Sequence, residues 1–468
     1  MSYIIIKKQC VIVSIYGNNN CTQRPDLFSS NVYMNSVKTH TYPNGFRLVY
    51  EKSNDHVRVT HIQVFCEIGS AYEVDGARGA SHFIEHMCFK GTTHIKDSLN
   101  LNLEYDKIGA YMNAYTEKQY TCYVVKCESK YVENMIHLTS DMLLNSTFVK
   151  GECEKEEKVV IEENSNKADD IENQLYVSLD KSLYAGSAFE HPIDALEYHA
   201  VKLECSTVRD MYNRFYIPNR MVMSVVSDLS YEQVKRFLYK SYFVRSVPLA
   251  SIIHAPSKCV TPQTAPTFIL KSDPSKHTTH IAIGFRIDSV DRHAVYMLNK
   301  ILGGPTTARL FRTLREQNGL TYSSSASTDI YGDVGDITIY AETDTTRLLK
   351  NGNDKGVLPL IFDILSDIVK NGVHIDELNL AKSYVAGSIN TSLDNGGSKC
   401  ENNGLSAVLY PSEPICSRSN RFDRYYKAIT KDEINEVARK YFTLNNMTVC
   451  MAGGKLPSLA HITRIAKL

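Results

Sequence analysis

Residues 81–92 read SHFIEHMCFKGT, and this stretch decides how the rest of the chain is interpreted. At about 3.6 residues per turn, His82 and His86 lie one turn apart on a helix, and Glu85 lies beside them on the same side. Two neutral imidazoles at this spacing can both reach one tetrahedral metal ion. The remaining side chains are apolar and can anchor the helix in a core: Phe83, Ile84 and Met87. The pattern predicts a metal-binding helix.

The pattern alone leaves a simpler alternative open. Chance places such a motif somewhere in a chain of this length and composition with a frequency on the order of a few per cent. Two histidines on an otherwise apolar helix can also be packed core residues. The interpretation therefore depends on whether the chain supplies further ligands.

A third ligand is available in an acidic run. A hydrolytic zinc site needs three protein ligands and one open position, and in the inverted HxxEH motif the third ligand is a distant Glu. Between His86 and Glu163 lie 76 residues. Glu156 and Glu163 are seven positions apart, which is two helical turns, so they share a face. That face can point at the metal, while Glu85 remains as a general base.

The acidic run belongs to a predicted helical tract from Glu152 to about Leu183. Within it, we expect Val159 and Val160 to pack inward. The other acids of the run, Glu157 and Glu162, are expected on a solvated face, as most charge runs are.

The motif and the acidic helix at this distance resemble the pitrilysin/insulinase family of zinc metallopeptidases. The resemblance covers the chain from about His40 and is greatest to half-length members typified by the mitochondrial processing peptidase beta subunit. It implies that one zinc ion per chain is held by three ligands, that an acid between the histidines is the base and that a further acid supports the site. These roles fall on His82, His86 and Glu163, on Glu85, and on Glu156 respectively.

Two further segments resemble substrate-binding parts of that family. Residues 109–116, GAYMNAYT, resemble an edge strand in which the backbone of Asn113 and Ala114 lines the cleft and a peptide adds as a strand. The segment REQNGLTY resembles a pair of donors to the substrate carbonyl, here Arg315 and Tyr322. Without the resemblance, a surface Arg and a core Tyr are the simpler interpretation.

One part of the family pattern is missing. Processing peptidases resemble one another in acids beyond the third ligand that hold a substrate arginine. By ungapped register these positions are Asn173 and Val177, whereas Asp169, Asp170 and Glu172 are shifted. Presequence-type arginine specificity is therefore not carried over to this sequence.

Length and composition indicate two domains. The 468 residues are 43% hydrophobic and 22% charged, which is ordinary globular composition but too long for one core. We divide the chain into a leader, poorly ordered or targeting, at 1–38; a zinc-binding catalytic domain at 39–243; a proline-containing linker at 244–266; and a second domain at 267–468.

The two domains are predicted to be copies of one fold. Tyr212–Asp228 and Arg439–Gly453 both read as a helix end, a turn containing Asn and a strand rich in Met and Val. The second copy has Val295–Lys300 where the duplication would place HxxEH, so it is expected to be inactive. The predicted fold class is α+β, with two homologous domains that each pack an antiparallel-rich sheet with helices.

Charge, hydropathy and cysteine usage restrict the possible binding partners and the cellular compartment. Lys+Arg and Asp+Glu both number 52, which does not indicate nucleic-acid binding, and no apolar run has the length of a membrane span. The 12 cysteines are scattered singly, so we expect reduced thiols and an intracellular protein, in the cytosol or a mitochondrial-type matrix.

The predicted function is a zinc metalloendopeptidase that hydrolyses peptide bonds in extended peptides by metal-activated water. The expected substrate is a peptide or unfolded polypeptide, and a homodimer or a partner subunit is expected to close the chamber, because full-length relatives carry four such domains. The alternatives are a non-catalytic scaffold subunit of the same family and a purely structural zinc site. The intact set of His82, Glu85, His86 and Glu163 argues against the scaffold subunit. The spare carboxylate of Glu85 and the absence of a fourth ligand argue against a purely structural zinc site.

Overall fold

The computed structural model describes residues 37–53, 56, 58–74, 76–194, 203–245 and 260–466. Below, the first half means residues 37–245 and the second half means residues 260–466. The predicted leader, 1–38, lies outside the described residues except for its last two, which begin a strand. Of the predicted linker, residues 246–259 also lie outside them.

The first half is built on a sheet of six described strands in the order β1-β2-β6-β3-β5-β4. The strands are β1 (Val37–Thr41), β2 (Arg47–Lys52), β3 (Val59–Cys66), β4 (Tyr111–Thr116), β5 (Thr121–Glu128) and β6 (Met221–Ser227). The pair β2 and β6 is parallel and the other pairs are antiparallel. Strand β4 is therefore an edge strand, and no described strand pairs with its outer side.

The helices of the first half lie between its strands along the chain, and the last helix follows the last strand. They are α1 (Ala80–Cys88), α2 (Ser98–Asp106), α3 (Val132–Leu144), α4 (Lys150–Ala168), α5 (Ile171–Leu183), α6 (Cys205–Phe215) and α7 (Tyr231–Tyr239). Apolar side chains of α1, α3, α6 and α7 form one core with the inner face of the sheet.

The second half repeats this plan with a sheet in the order β7-β13-β8-β10-β9. Its strands are β7 (Thr267–Ser272), β8 (Thr278–Asp288), β9 (Thr321–Tyr331), β10 (Val334–Asp344) and β13 (Met447–Gly453), beside a small hairpin of β11 (Lys350–Asn351) and β12 (Asp354–Lys355). Its last strand, β13, is parallel to β7 and antiparallel to β8, as β6 is parallel to β2 and antiparallel to β3 in the first half.

The helices of the second half are likewise spread between its strands. They are α8 (Arg292–Gly303), α9 (Val357–Asn371), α10 (Ile375–Thr391), α11 (Gly396–Leu409), α12 (Lys431–Tyr441) and α13 (Leu459–Ile465), with a π-helical turn at Phe311–Gln317 and another at Phe422–Tyr426. The predicted α+β class, with an antiparallel-rich sheet and helices in each of two domains, is confirmed.

Each half covers the outer face of the other half's sheet with one helix. Helix α5 packs its leucines against the second sheet, where a Cβ on Gly284 would lie 2.7 Å from Leu183 Cδ1. Helix α11 packs against the first sheet, and Asn403 Nδ2 donates to the buried Glu51 Oε2 at 2.7 Å. With both faces covered, β6 is buried along its whole length, which explains why its sequence, MVMSVVS, is mostly apolar and carries no charge.

Two local predictions are wrong. The helical tract predicted from 152 to 183 is two helices, because Asp170 caps a new helix by accepting from the backbone N–H groups of Glu172 and Asn173. Cys153 in α4 and Cys205 in α6 are joined by a disulfide across 52 residues, so this pair is not two single thiols. Tertiary proximity, which spacing does not reveal, brings these cysteines together.

No described helix combines the length and the apolar character that a membrane crossing requires.

The packing of α11 on the first sheet gives a stability prediction. A Cβ at Gly404 would lie 2.1 Å from Phe65 Cε2, so Gly404→Ala must displace a fully buried ring. We expect a loss of about 1–3 kcal/mol in the free energy of unfolding, as for overpacked cores, measured by urea denaturation. The control is Gly387→Ala in α10, where the added Cβ meets nothing within 4 Å. It should be neutral or stabilising by up to about 1 kcal/mol, and equal effects of the two changes would contradict the assigned packing.

Candidate metal centre

Helix α1 carries the motif and is fixed by its apolar side. Phe83, Ile84 and Met87 are at most 2% exposed and pack in the core of the first half, as predicted. His82 and Glu85 are also buried, at 8% and 9% exposure. The helix therefore holds its polar groups in a protected position.

The beginning of α1 depends on a residue that sequence reasoning missed. Gly79 adopts a left-handed conformation, φ 85°, at the cap position and offers no capping side chain. Instead Glu73 accepts from the backbone N–H groups of Gly79 and Ser81, each at 2.7 Å. Because this carboxylate satisfies donors at the helix N-terminus from outside the helix, no local capping pattern announces it.

Helix α4 brings Glu163 to the two histidines. His82 Nε2 and His86 Nε2 lie 3.2 Å apart. Glu163 Oε2 lies 3.9 Å from His82 Nε2 and 3.6 Å from His86 Nε2. In the described part of the chain, this is the one group of three or more His, Cys, Asp or Glu side chains that converges closely enough to hold a metal ion.

The chemistry and spacing of these atoms fit a zinc ion. Two imidazole nitrogens and a carboxylate oxygen are a typical donor set for catalytic zinc. Three donors that each lie about 2 Å from one tetrahedral ion are about 3.3 Å from each other, close to the separations observed. The three side chains account for three positions and leave a fourth for water or substrate.

Glu156 supports His86 from the opposite side of the ring. Its Oε1 lies 2.7 Å from His86 Nδ1, and its other oxygen pairs with Lys90. With Nδ1–H donating to this carboxylate, the lone pair of Nε2 is directed into the cluster. Burial acts to raise the pKa of Glu156, but the hydrogen bonds from His86 and Lys90 outweigh it and hold the pKa below its usual range.

Glu85 stands beside the cluster without joining it. Its Oε2 accepts a hydrogen bond of 2.6 Å from Thr116 Oγ1, at the end of the edge strand β4. Burial raises the pKa of Glu85, although the bond from Thr116 acts in the opposite direction. A carboxylate whose pKa is raised toward neutrality is suited to accept and return a proton.

The two histidines differ in their electrostatics. Burial lowers the pKa of His82 to about 4, and the neighbouring ring of His86 adds to the shift. Burial also acts to lower the pKa of His86, but the hydrogen bond to Glu156 and the nearby carboxylates outweigh it, so that pKa is raised.

The residues near Glu163 on α4 differ in exposure, because successive side chains of a helix point in different directions. Glu162 is exposed, as predicted, while Glu157 is half-buried rather than solvated. Val160 is buried, but the prediction for Val159 is wrong, since that side chain is 49% exposed. The reason is that the buried stripe of α4 runs through Cys153, Glu156, Val160 and Asn164, and Val159 lies about 100° away from it.

The predicted substrate-binding residues Asn113 and Ala114 lie on β4, the strand that contacts Glu85 at its end. Asn113 is exposed and its Nδ2 donates to Tyr111 Oη at 3.0 Å, while Ala114 is half-buried. Both pair with β5 on one side only. Thr116, two residues beyond Ala114, contacts Glu85.

Arg315 and Tyr322 lie together in the second half. Arg315 Nη1, in the π-helical turn, donates to the Tyr322 carbonyl at 2.9 Å. Tyr322 is the second residue of the edge strand β9 and is 66% exposed, so it is not a core residue. No hydrogen bond among the described residues joins this pair to the histidines or to Glu163.

Lys167 and Asp194 also belong to the centre and were missed from the sequence. Lys167 Nζ lies 2.9 Å from Glu163 Oε1 and 2.8 Å from Asp194 Oδ1. Lys167 follows Glu163 by four positions, and an ion pair at this helical spacing could have been predicted. Asp194 is distant in sequence and carries no such signal.

Comparisons with known proteins identify the family of this chain. Residues 48–211 match the insulinase family, peptidase family M16, and residues 203–385 match the peptidase M16 inactive domain. Together these matches extend over more than half of the chain. The protein belongs to peptidase family M16, the insulinase family.

Relatives in this family are named as zinc proteases. The uncharacterized zinc protease YmxG of Bacillus subtilis is 29% identical over 429 residues, which cover 90% of this chain and all of the relative. The mitochondrial-processing peptidase subunit beta of Caenorhabditis elegans is 24% identical over 448 residues, covering 90% of this chain and 91% of the relative.

Solved structures support the fold. A protease from Helicobacter pylori superposes with a TM-score of 0.79 at 18% identity, covering 90% of this chain and 100% of that chain. The first half of the periplasmic protease PqqL from Escherichia coli gives a TM-score of 0.74 at 18% identity, covering 92% and 96%.

The cap on α1 predicts a pH effect on stability. Burial raises the pKa of Glu73 to about 7, and the backbone hydrogen bonds from Ser81 and Gly79 only partly oppose it. The pKa in the unfolded chain is about 4.3, so folding favours the protonated group. Wild-type stability should therefore fall relative to Glu73→Gln as pH rises from about 4.5 to about 7, and the difference should level off above that.

Urea denaturation of both proteins across this pH range measures the effect in the zinc-free state. Parallel stability profiles for the wild type and Glu73→Gln would show that Glu73 does not titrate in this window.

Proposed function

We propose that this protein is a zinc metalloendopeptidase that hydrolyses extended peptides. The observation that carries the proposal is the convergence of His82 Nε2, His86 Nε2 and Glu163 Oε2 within 4.8 Å of one another, with Glu85 beside them and outside the donor set. A purely structural zinc site would use a fourth protein ligand. The names of the relatives support zinc and protease activity in the same family.

In this proposal the three side chains hold one zinc ion per chain. Zinc bound there would act as a Lewis acid and lower the pKa of water toward about 7. Glu156 keeps His86 in the tautomer that presents Nε2, through the 2.7 Å contact with Nδ1.

Glu85 is the proposed general base. Burial raises the pKa of its carboxyl group, so the group binds a proton more readily, and Thr116 fixes the orientation of Oε2. The group accepts a proton from the attacking water and then donates it to the leaving amine. The side chain therefore completes the cycle in its starting state.

The edge strand β4 is the proposed substrate platform. Every second residue of β4, and so one of Asn113 and Ala114, points its backbone N–H and C=O away from β5, where they can pair with an extended peptide that adds as a further strand. Such a peptide would run toward Thr116, whose hydroxyl holds Glu85. Arg315 and Tyr322 are the proposed donors to the substrate carbonyl from the second half, which requires the substrate to lie between the two halves.

The ligand assignment is tested by a pair of neighbouring acids. Glu163→Gln replaces a charged ligand with a weak neutral one, so we expect loss of bound zinc and loss of peptide hydrolysis. Glu162→Gln changes the same functional group one position earlier on an exposed part of α4 and should retain both. Metal content is measured on the purified full-length proteins. A zinc-free Glu162→Gln together with a zinc-loaded Glu163→Gln would reverse the assignment.

The role of Glu85 is tested by Glu85→Gln. We expect this variant to keep stoichiometric zinc and to lose at least about 100-fold in kcat, because general base catalysis contributes about 10²–10⁴-fold. Hydrolysis of an unstructured peptide is measured with and without a zinc chelator, which should abolish wild-type activity. Zinc loss in Glu85→Gln would make Glu85 a ligand, and wild-type turnover would remove it from catalysis.

A further inference from the structure

The two metal-binding histidines are supported unequally in the structure. His86 Nδ1 lies 2.7 Å from Glu156. His82 Nδ1 is buried and has no hydrogen-bond partner among the described residues, but Asp194 Oδ1 lies 3.6 Å from it. A buried polar nitrogen without a partner costs free energy, and a shift of about 1 Å would bring these two atoms within hydrogen-bond distance.

Lys167 connects this aspartate to the third ligand. Its ammonium lies 2.8 Å from Asp194 Oδ1 and 2.9 Å from Glu163 Oε1. Engaging Oε1 leaves Glu163 Oε2 as the oxygen that faces the histidines, at 3.6 Å and 3.9 Å. The same cation thus orients a ligand and holds Asp194 near His82.

Asp194 is placed by contacts that reach the second half. The segment before it is anchored where Lys118 Nζ donates to the Phe189 carbonyl at 2.6 Å. The ring of Phe189 is fully buried and stacks on Tyr331 of β9, with ring centroids 5.2 Å apart. Ser70 Oγ donates to the His191 carbonyl at 3.4 Å. The position of Asp194 therefore depends on packing between the two halves.

We propose that Asp194 and Lys167 are positioning residues of the metal centre, with Asp194 accepting from His82 Nδ1–H and Lys167 fixing the ligand oxygen of Glu163. The inference rests on the proposed zinc site. Metal-ligating histidines commonly donate their second N–H to a carboxylate, and loss of that partner costs about 10–100-fold in metal affinity or activity. Asp194 would serve His82 as Glu156 serves His86.

The test measures zinc affinity of the full-length protein by competition with a chromophoric chelator. Asp194→Asn and Lys167→Met should each weaken zinc binding by about 10–100-fold, and Asp194→Glu should recover most of the loss. The matched controls are Asp169→Asn and Lys158→Met, two exposed side chains on or at the end of α4. The controls should stay within about twofold of the wild type.

A spectroscopic measurement separates positioning from general destabilisation. In the cobalt-substituted protein, the visible absorption bands should shift in Asp194→Asn and stay unchanged in the controls, because the bands report ligand geometry. The melting temperature of each zinc-free variant is measured alongside. If zinc-free Asp194→Asn melts well below the wild type, the zinc affinities of Asp194→Glu and Lys167→Met test the inference in its place.

Wild-type zinc affinity and an unshifted cobalt spectrum in Asp194→Asn and Lys167→Met would overturn this inference. That outcome differs from failure of the proposed function, in which the wild-type protein itself would bind no zinc at the three-residue cluster or would hydrolyse no peptide. A loss of affinity equal to that of the two controls would also overturn it.

Discussion

The requirement that buried polar groups find partners governs the arrangement of this protein. Helix α1 is anchored by apolar residues, so His82 and Glu85 are buried with it and His86 is partly buried. Burial without partners would be costly for such groups. The structure meets this cost from several directions: Glu73 caps the helix, Thr116 holds Glu85 and Glu156 holds His86. The metal centre thus lies where several separate elements supply hydrogen-bond partners to the polar groups of α1.

Each half packs one helix on the sheet of the other half, and this joins the two domains into one structural unit. Helix α5 follows the ligand-bearing α4 directly, yet it packs on the second sheet, while α11 of the second half packs on the first sheet. Each sheet therefore has both faces covered only when the other half is present. Although the second half carries no HxxEH motif, it contributes to the position of α4 and of the segment that carries Asp194.

Charges around the centre alternate in sign. Lys90 pairs with Glu156, which contacts His86, and Lys167 joins Glu163 to Asp194. Pairing of this kind keeps carboxylates ionised in a partly buried site, as the lowered pKa values of Glu156 and Glu163 indicate, where burial opposes and the hydrogen bonds from His86, Lys90 and Lys167 prevail. Among the described residues no Lys or Arg forms an ion pair with Glu85, and its raised pKa suits a group that exchanges a proton.

Periodicity and spacing in the sequence were sufficient for the parts of the protein that depend on local geometry. They gave α1 with its buried side, the Met- and Val-rich strands β6 and β13, the α+β class and the face shared by Glu156 and Glu163. Three predictions failed: the uninterrupted helix across Asp170, where a local cap starts a new helix; the inward packing of Val159, which lies off the buried stripe of α4; and the single thiols of Cys153 and Cys205, which distant segments bring together. The contacts of Glu73, Thr116 and Asp194 with the centre were decided only by tertiary structure, because contacts between distant segments leave no periodic trace in either partner.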